Sequence, residues 1–156
     1  METNGPTIVD LLRPVLAPLP RGEQLYVIGL LEAGSGRRYR AWADEAQDEE
    51  TARGLRSCAA REEEIVRLLR ATLRDELTAP AELDRLVARI QELSHAVFAD
   101  RSVRERFALQ AAAERGGASV WRELGAAEVD AGRARFFEEL AALEEESAAF
   151  LETLVD

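Results

Sequence analysis

The sequence predicts an all-α protein, an antiparallel four-helix bundle with a long helical crossover between its second and third long helices. Three observations lead there. From Glu23 onward alanine, leucine, glutamate and arginine dominate, all good helix formers, and no stretch alternates β-branched residues as a strand would. Apolar residues recur at three- and four-residue spacing over long segments, the period of a helix face. Short turns join the long segments in two pairs, and short turns between long helices make antiparallel hairpins.

Residues 1–22 hold four of the five prolines (Pro6, Pro14, Pro18 and Pro20) and read as an extended arm with one short turn around Ile8–Leu12. The remainder, 23–156, reads as one domain. Its first long helix covers about 23–46, and the acidic stretch 44–50 holds that helix's end and the next start. The second covers about 50–76. Thr78 and Pro80 open a further helix over about 80–98, because proline suits a first helical turn. That helix spans roughly 28 Å at 1.5 Å per residue, enough to return the chain from one end of a bundle to the other. Ser102 and Glu105 form a capping-box pattern that starts the third long helix, which runs to about 127. Asp130 to Gly132 make the next turn, and the fourth helix fills the rest.

The 156 residues include 30 acidic and 20 basic ones, every basic residue an arginine, for a net charge of −10. That balance argues against non-specific binding to nucleic acid or to an anionic membrane surface, since both need a positive footprint. No apolar run reaches the length of a bilayer span. The start, METNGPTIVDLLRP, lacks a basic region followed by an apolar one and reads against a signal peptide. The lone Cys58 forms no internal disulfide, so a cytoplasmic protein is expected. No Ser/His/Asp set is read around the single histidine, and no Cys-x-x-Cys, phosphate-binding glycine loop or dinucleotide fingerprint is present.

The two hairpins, 23–76 and 103–155, align on each other at an offset of 82 residues without a gap. Glu32 meets Glu114, Gly34 meets Gly116, Tyr39 meets Trp121 and Arg40 meets Arg122. The run 60–64 meets 142–146, and Leu69 meets Leu151. Glu32 and Glu62 lie 30 residues apart, as do Glu114 and Glu144, with a turn near each midpoint. Residues equidistant from a tight turn sit at one height on paired helices, so each hairpin sets two glutamates level.

All four point along apolar stripes. Glu32 shares its face with Leu25, Ile28 and Tyr39; Glu62 with Leu55, Cys58, Ile65 and Leu69; Glu114 with Phe107, Gln110 and Trp121; Glu144 with Phe137, Leu140, Ser147 and Leu151. Glu63, Glu64, Glu145 and Glu146 rotate away toward solvent. Folding the stripes inward gathers four carboxylates, which must protonate, pair with arginine or bind a cation. Arg61 and Arg115 lie off the apolar faces, and oxygen donors suit iron(II), manganese or magnesium.

A glutamate followed seven residues later by an aromatic, then a glutamate-bearing face on the hairpin partner, all repeated, resembles the ferritin-like superfamily of rubrerythrin and bacterioferritin over about 23–155. The resemblance implies a bundle holding two iron or manganese ions, with one glutamate from each of two helices and Glu-x-x-His from each of the others. It implies that Glu32, Glu62, Glu114 and Glu144 are metal ligands, with Tyr39, Trp121 and Ser147 behind them. The positions of the two motif histidines hold Ile65 and Ser147. Two expectations follow. One is a carboxylate-rich iron or manganese site that oxidises iron(II) or activates oxygen or peroxide. The other is a metal-free bundle acting as a binding or scaffold module.

Other features read more plainly. Glu92 and His95 spell Glu-x-x-His, yet fall opposite the apolar face of their helix and are expected in solvent. The glycines of 32–36 and 114–119 mark either space beside a metal or a close approach of helices. Cys58 reads as a small buried hydrophobe. The apolar residues of the arm need burial, which a second subunit of a homodimer would provide.

Overall fold

The computed structural model describes residues 6–156 as six α-helices; residues 1–5 of the arm lie outside the described residues. The helices are α1 (Ile8–Leu16), α2 (Arg21–Glu45), α3 (Glu49–Thr72), α4 (Leu83–Phe98), α5 (Val103–Ala126) and α6 (Ala131–Val155). The protein is all-α, as its composition predicts. None of the described helices is long and apolar enough to cross a membrane.

Side chains set the helix starts. Asp48 caps α3 by accepting from the Thr51 N–H, Ser102 and Glu105 close the expected capping box on α5, and Asp130 caps α6 through the Arg133 N–H. Two ends differ from expectation. The second long helix stops at Thr72, where Leu73 turns into the core and the chain folds back on the start of α2. There the Thr78 N–H donates to the Gly22 carbonyl, and a Cβ on Gly22 would lie 2.3 Å from the Glu76 carbonyl oxygen, so only glycine permits the approach. The next helix starts at Leu83 instead of Pro80, after a turn at residues 81–82, with Glu82 as a cap that makes no side-chain hydrogen bond.

The arm is corrected outright. Instead of an extended segment with one turn, it holds a nine-residue helix, α1, capped reciprocally by Thr7 and Asp10. Pro14 sits inside it and forgoes one backbone hydrogen bond, a cost that packing offsets. Leu12 is buried, and Val9 rests on Gly116, where a Cβ would come within 2.7 Å of it. The arm therefore docks on its own chain, against α4 and α5, and gives no argument for a second subunit.

α2 packs on α3, α5 on α6, and α3 on α6. Two apolar cores result. The first gathers Leu25, Ile65, Leu69, Ala118, Trp121, Phe137 and Leu140. The second gathers Tyr39, Trp42, Leu55, Cys58, Phe107, Ala111 and Leu151. Every long helix contributes to both, and its inward glutamate lies between the two contributions. The hairpins also repeat a surface ion pair: Arg40 with Glu63 and, 82 residues on, Arg122 with Glu145. Such exposed pairs add at most about 1 kcal/mol each, but their recurrence shows that matched positions hold matched geometry.

Candidate metal centre

Each carboxylate reaches the boundary between the cores because its helix flanks it with apolar residues at helical spacing. On α2, Glu32 lies midway between Leu25 of the first core and Tyr39 of the second. On α3, Glu62 lies between Cys58 and Ile65; on α5, Glu114 between Ala111 and Ala118; on α6, Glu144 between Leu140 and Leu151. Glu62 is fully buried, Glu114 and Glu144 are 2% exposed, and Glu32 is half-buried, facing a cavity. Glu32, Glu62 and Glu144 each bring one carboxylate oxygen within 4.8 Å of the other two. Glu114 stands beside this trio, close enough for its charge to act on Glu32, Glu62 and Glu144.

The hydrogen bonds are unevenly shared. The Tyr39 hydroxyl donates to Oε1 of Glu114 at 2.5 Å, and Nε2 of Gln110 donates to the same oxygen at 2.7 Å. Nε1 of Trp121 donates to Oε1 of Glu144 at 2.9 Å. Both carboxylate oxygens of Glu62, Oε2 of Glu114 and the Ser147 hydroxyl are buried without a hydrogen-bond partner among the described residues. Buried polar atoms are seldom left so, and their convergence marks a place built to receive a proton or a cation. Ile65 is packed into the first core and offers no ligand atom.

Crowding is legible in the acidities. Burial pushes the Glu32 carboxyl up to about 7, and the charge of Glu114 adds to the rise. Burial, then the charges of Glu114 and Glu32, drives Glu62 well above the ordinary carboxyl range. Glu144 rises likewise, by burial first and the charge of Glu32 next. Burial and Glu114 also raise Tyr39, which keeps its hydroxyl a donor. Two carboxylates at the trio's 4.8 Å repel each other by roughly 3 kcal/mol at an effective dielectric of about 20, so three full charges are untenable without relief.

The glycines make room for neighbouring side chains. A Cβ on Gly117 would lie 2.7 Å from Oε1 of Glu144, and one on Gly36 would lie 3.4 Å from Cβ of Glu62, so these two clear the carboxylate-bearing side chains. Gly116 instead seats α1. α1, α2 and α5 border a mostly apolar, partly open cavity of about 460 Å³ lined by Val9, Leu12, Ile28, Leu31, Glu32 and Gly117. A second, of about 100 Å³, is lined by Glu32, Arg38, Gln110, Glu114 and Glu144 and is bordered by α1 and α4.

Two residues escaped the sequence reading. Gln110 lies on the Glu114 face, yet nothing marked it as a donor. Arg38 is half-buried against α4 and bonds Gln110 at 2.9 Å. Its place on the helix gave no signal, because a long arginine reaches past its own face. Glu92 and His95 are exposed, away from the carboxylates, as expected. Cys58 is fully buried, and burial pushes its thiol up to about 11, out of the reactive range. No family model, curated protein or solved structure matches the chain.

Proposed function

We propose that the chain is a ferritin-like four-helix bundle that binds divalent metal, iron or manganese, through Glu32, Glu62, Glu114 and Glu144. The topology supports this reading. α3 ends beside the first core at Leu69 and Leu73, while α5 begins beside the second at Phe107. α4 then carries the chain back along the bundle formed by α2, α3, α5 and α6, and a single long crossover is the ferritin-like connection.

The observation that carries the metal reading is the set of buried carboxylate oxygens with no donor, gathered where three side chains already approach within 4.8 Å. The donor set fits a hard divalent cation: oxygen only, several negative charges, little water. With Ile65 and Ser147 at the motif positions, the carboxylates alone would hold the metal. Such a metal would supply one-electron chemistry with dioxygen or peroxide. The chain's part is to hold Glu114 and Glu144 in place through Tyr39, Gln110 and Trp121, keep bulk water out with two apolar cores, and admit small molecules beneath α1.

One observation favours the rival reading, a metal-free bundle serving as a binding or scaffold module. The raised pKa values of Glu32, Glu62 and Glu144 let protons relieve the crowding unaided. Loading the protein with iron(II) in the absence of oxygen, dialysing, and measuring metal per chain separates the two. Roughly two ions per chain, enough to balance four carboxylates, supports the metal site. No retained metal and an unchanged melting temperature support the scaffold, because a ligand that binds only the folded state raises stability.

A further inference from the structure

Glu114 is oriented from outside the carboxylate quartet by a chain of side chains. Arg38 donates through one terminal nitrogen to Oε1 of Gln110 at 2.9 Å and through the other to the Ser94 hydroxyl of α4 at 2.9 Å. Its guanidinium also lies over the ring of Phe98 at the end of α4, 4.5 Å from the centroid. Gln110 donates onward from Nε2 to Oε1 of Glu114 at 2.7 Å, the oxygen that also takes the Tyr39 hydroxyl.

A guanidinium has donors and no acceptor. It draws the carbonyl end of the Gln110 amide to itself and leaves the NH₂ end facing Glu114. Reversed, the amide would set its NH₂ against the guanidinium and its carbonyl against the carboxylate, two buried contacts of like polarity. With Oε1 holding two donors, Oε2 is the buried oxygen left without a partner among the described residues.

We propose that Arg38 is a positioning residue for the carboxylate quartet: it fixes the Gln110 amide, thereby fixes which oxygen of Glu114 stays free, and makes the docking of α4 part of that control. Ser94 and Phe98 are the grips by which α4, a helix with no buried residue of its own, holds Arg38. A second line of contacts runs beside the first. Phe98 meets Trp42 edge-on at 5.8 Å, and Trp42 meets Tyr39 at 5.9 Å, so α4 braces both donors to Glu114.

Only the effect on metal affinity rests on the proposed metal site; the orientation itself is tested on the metal-free protein. In nitrogen-15 NMR spectra the Gln110 side-chain amide protons, identified by their loss in Gln110→Met, are expected to exchange slowly with water. Arg38→Met should speed that exchange about tenfold, because a hydrogen bond that holds the amide in place is lost and local opening becomes easier. Ser94→Ala, a milder change, should move it in the same direction by less, and provides the readout should Arg38→Met fold poorly. Unchanged Gln110 exchange in both variants would overturn the inference.

Manganese(II) titration then separates positioning from bulk structure. Arg38→Met and Gln110→Met should each weaken binding about tenfold, and the double variant no more than either alone, because one acts through the other. Additive losses would overturn a role through Gln110. A wild-type protein that takes up no manganese would sink the metal-site reading while leaving the exchange result to decide on Arg38.

Discussion

The two hairpins share a backbone plan and differ in how they treat their carboxylates. In the second, Glu144 is held by Trp121 of its own hairpin, and Glu114 by its own Gln110 and by Tyr39 from across the molecule. In the first, Glu62 receives no hydrogen bond on either oxygen among the described residues, and Glu32 faces a cavity. Strict repetition would have Trp121 reach across to Glu32, as Tyr39 reaches across to Glu114; it bonds Glu144 instead. The coverings differ as well. Gly116 receives Val9 of α1, whereas its counterpart Gly34 meets only the end of the Arg37 side chain. A repeat therefore sets helix spacing and the height of the glutamates, while the donors that fix carboxylate orientation, Tyr39 of the first hairpin among them, serve the two carboxylates of the second.

The largest expected effect is on the dependence of stability on pH in the metal-free protein. A carboxyl raised by folding keeps a proton that the unfolded chain releases near pH 4.5. Its contribution is whole below that pH and is lost as pH climbs through the folded value. For Glu32 that value is about 7, which amounts to roughly 3 kcal/mol, since each tenfold change in proton affinity is worth about 1.4 kcal/mol. Glu62 and Glu144 extend the loss to higher pH. Urea unfolding at pH 5 and pH 8 should show the metal-free protein weaker at pH 8. Glu62→Gln should flatten the slope more than Glu144→Gln, since only Glu144 has a donor of its own. Equal flattening would erase the difference between the hairpins.

Next in size comes the pair of aromatic donors. Trp121→Phe removes the only side-chain donor to Glu144 among the described residues and opens space in the first core, for an expected loss of about 3 kcal/mol. Tyr39→Phe removes a hydroxyl from an oxygen that Gln110 still serves, for about 1 kcal/mol. Denaturant midpoints of the two variants check the ratio.

The smallest effect separates the matched glycines. Gly34→Ala has room for its methyl and should stabilise α2 by about 0.5–1 kcal/mol. The same change at Gly116 drives a Cβ against Val9, cancels the gain, and should speed hydrogen exchange across α1. Equal stabilisation by both would mean that α1 is not seated on Gly116.

The long helices and the level of the four glutamates were legible in the sequence because both follow from the 3.6-residue period and a gap-free repeat, and packing respects both. Helix α1 was not. Its prolines argue against a helix, and the Thr7–Asp10 cap together with burial of Leu12 outweighs them only once the groove beside α5 exists. Tyr39 and Trp121 were legible as neighbours of carboxylates, but which carboxylate each would bond depends on side-chain rotation that no spacing encodes. Arg38 was missed for a related reason: six residues from Glu32 and off its face, it enters the site by the length of its side chain. Glu92 and His95 read correctly as exposed because seven apolar residues define the opposite face of α4.

The central claim, that these interior carboxylates share a metal cation, is tested most directly by anomalous X-ray scattering at the manganese edge from crystals grown with manganese(II) near pH 7.5. The account predicts a strong peak among the carboxylates of Glu32, Glu62 and Glu144, lost in the Glu62→Gln, Glu144→Gln double variant. A map empty at that position, with manganese bound only at surface acids or not at all, would contradict it.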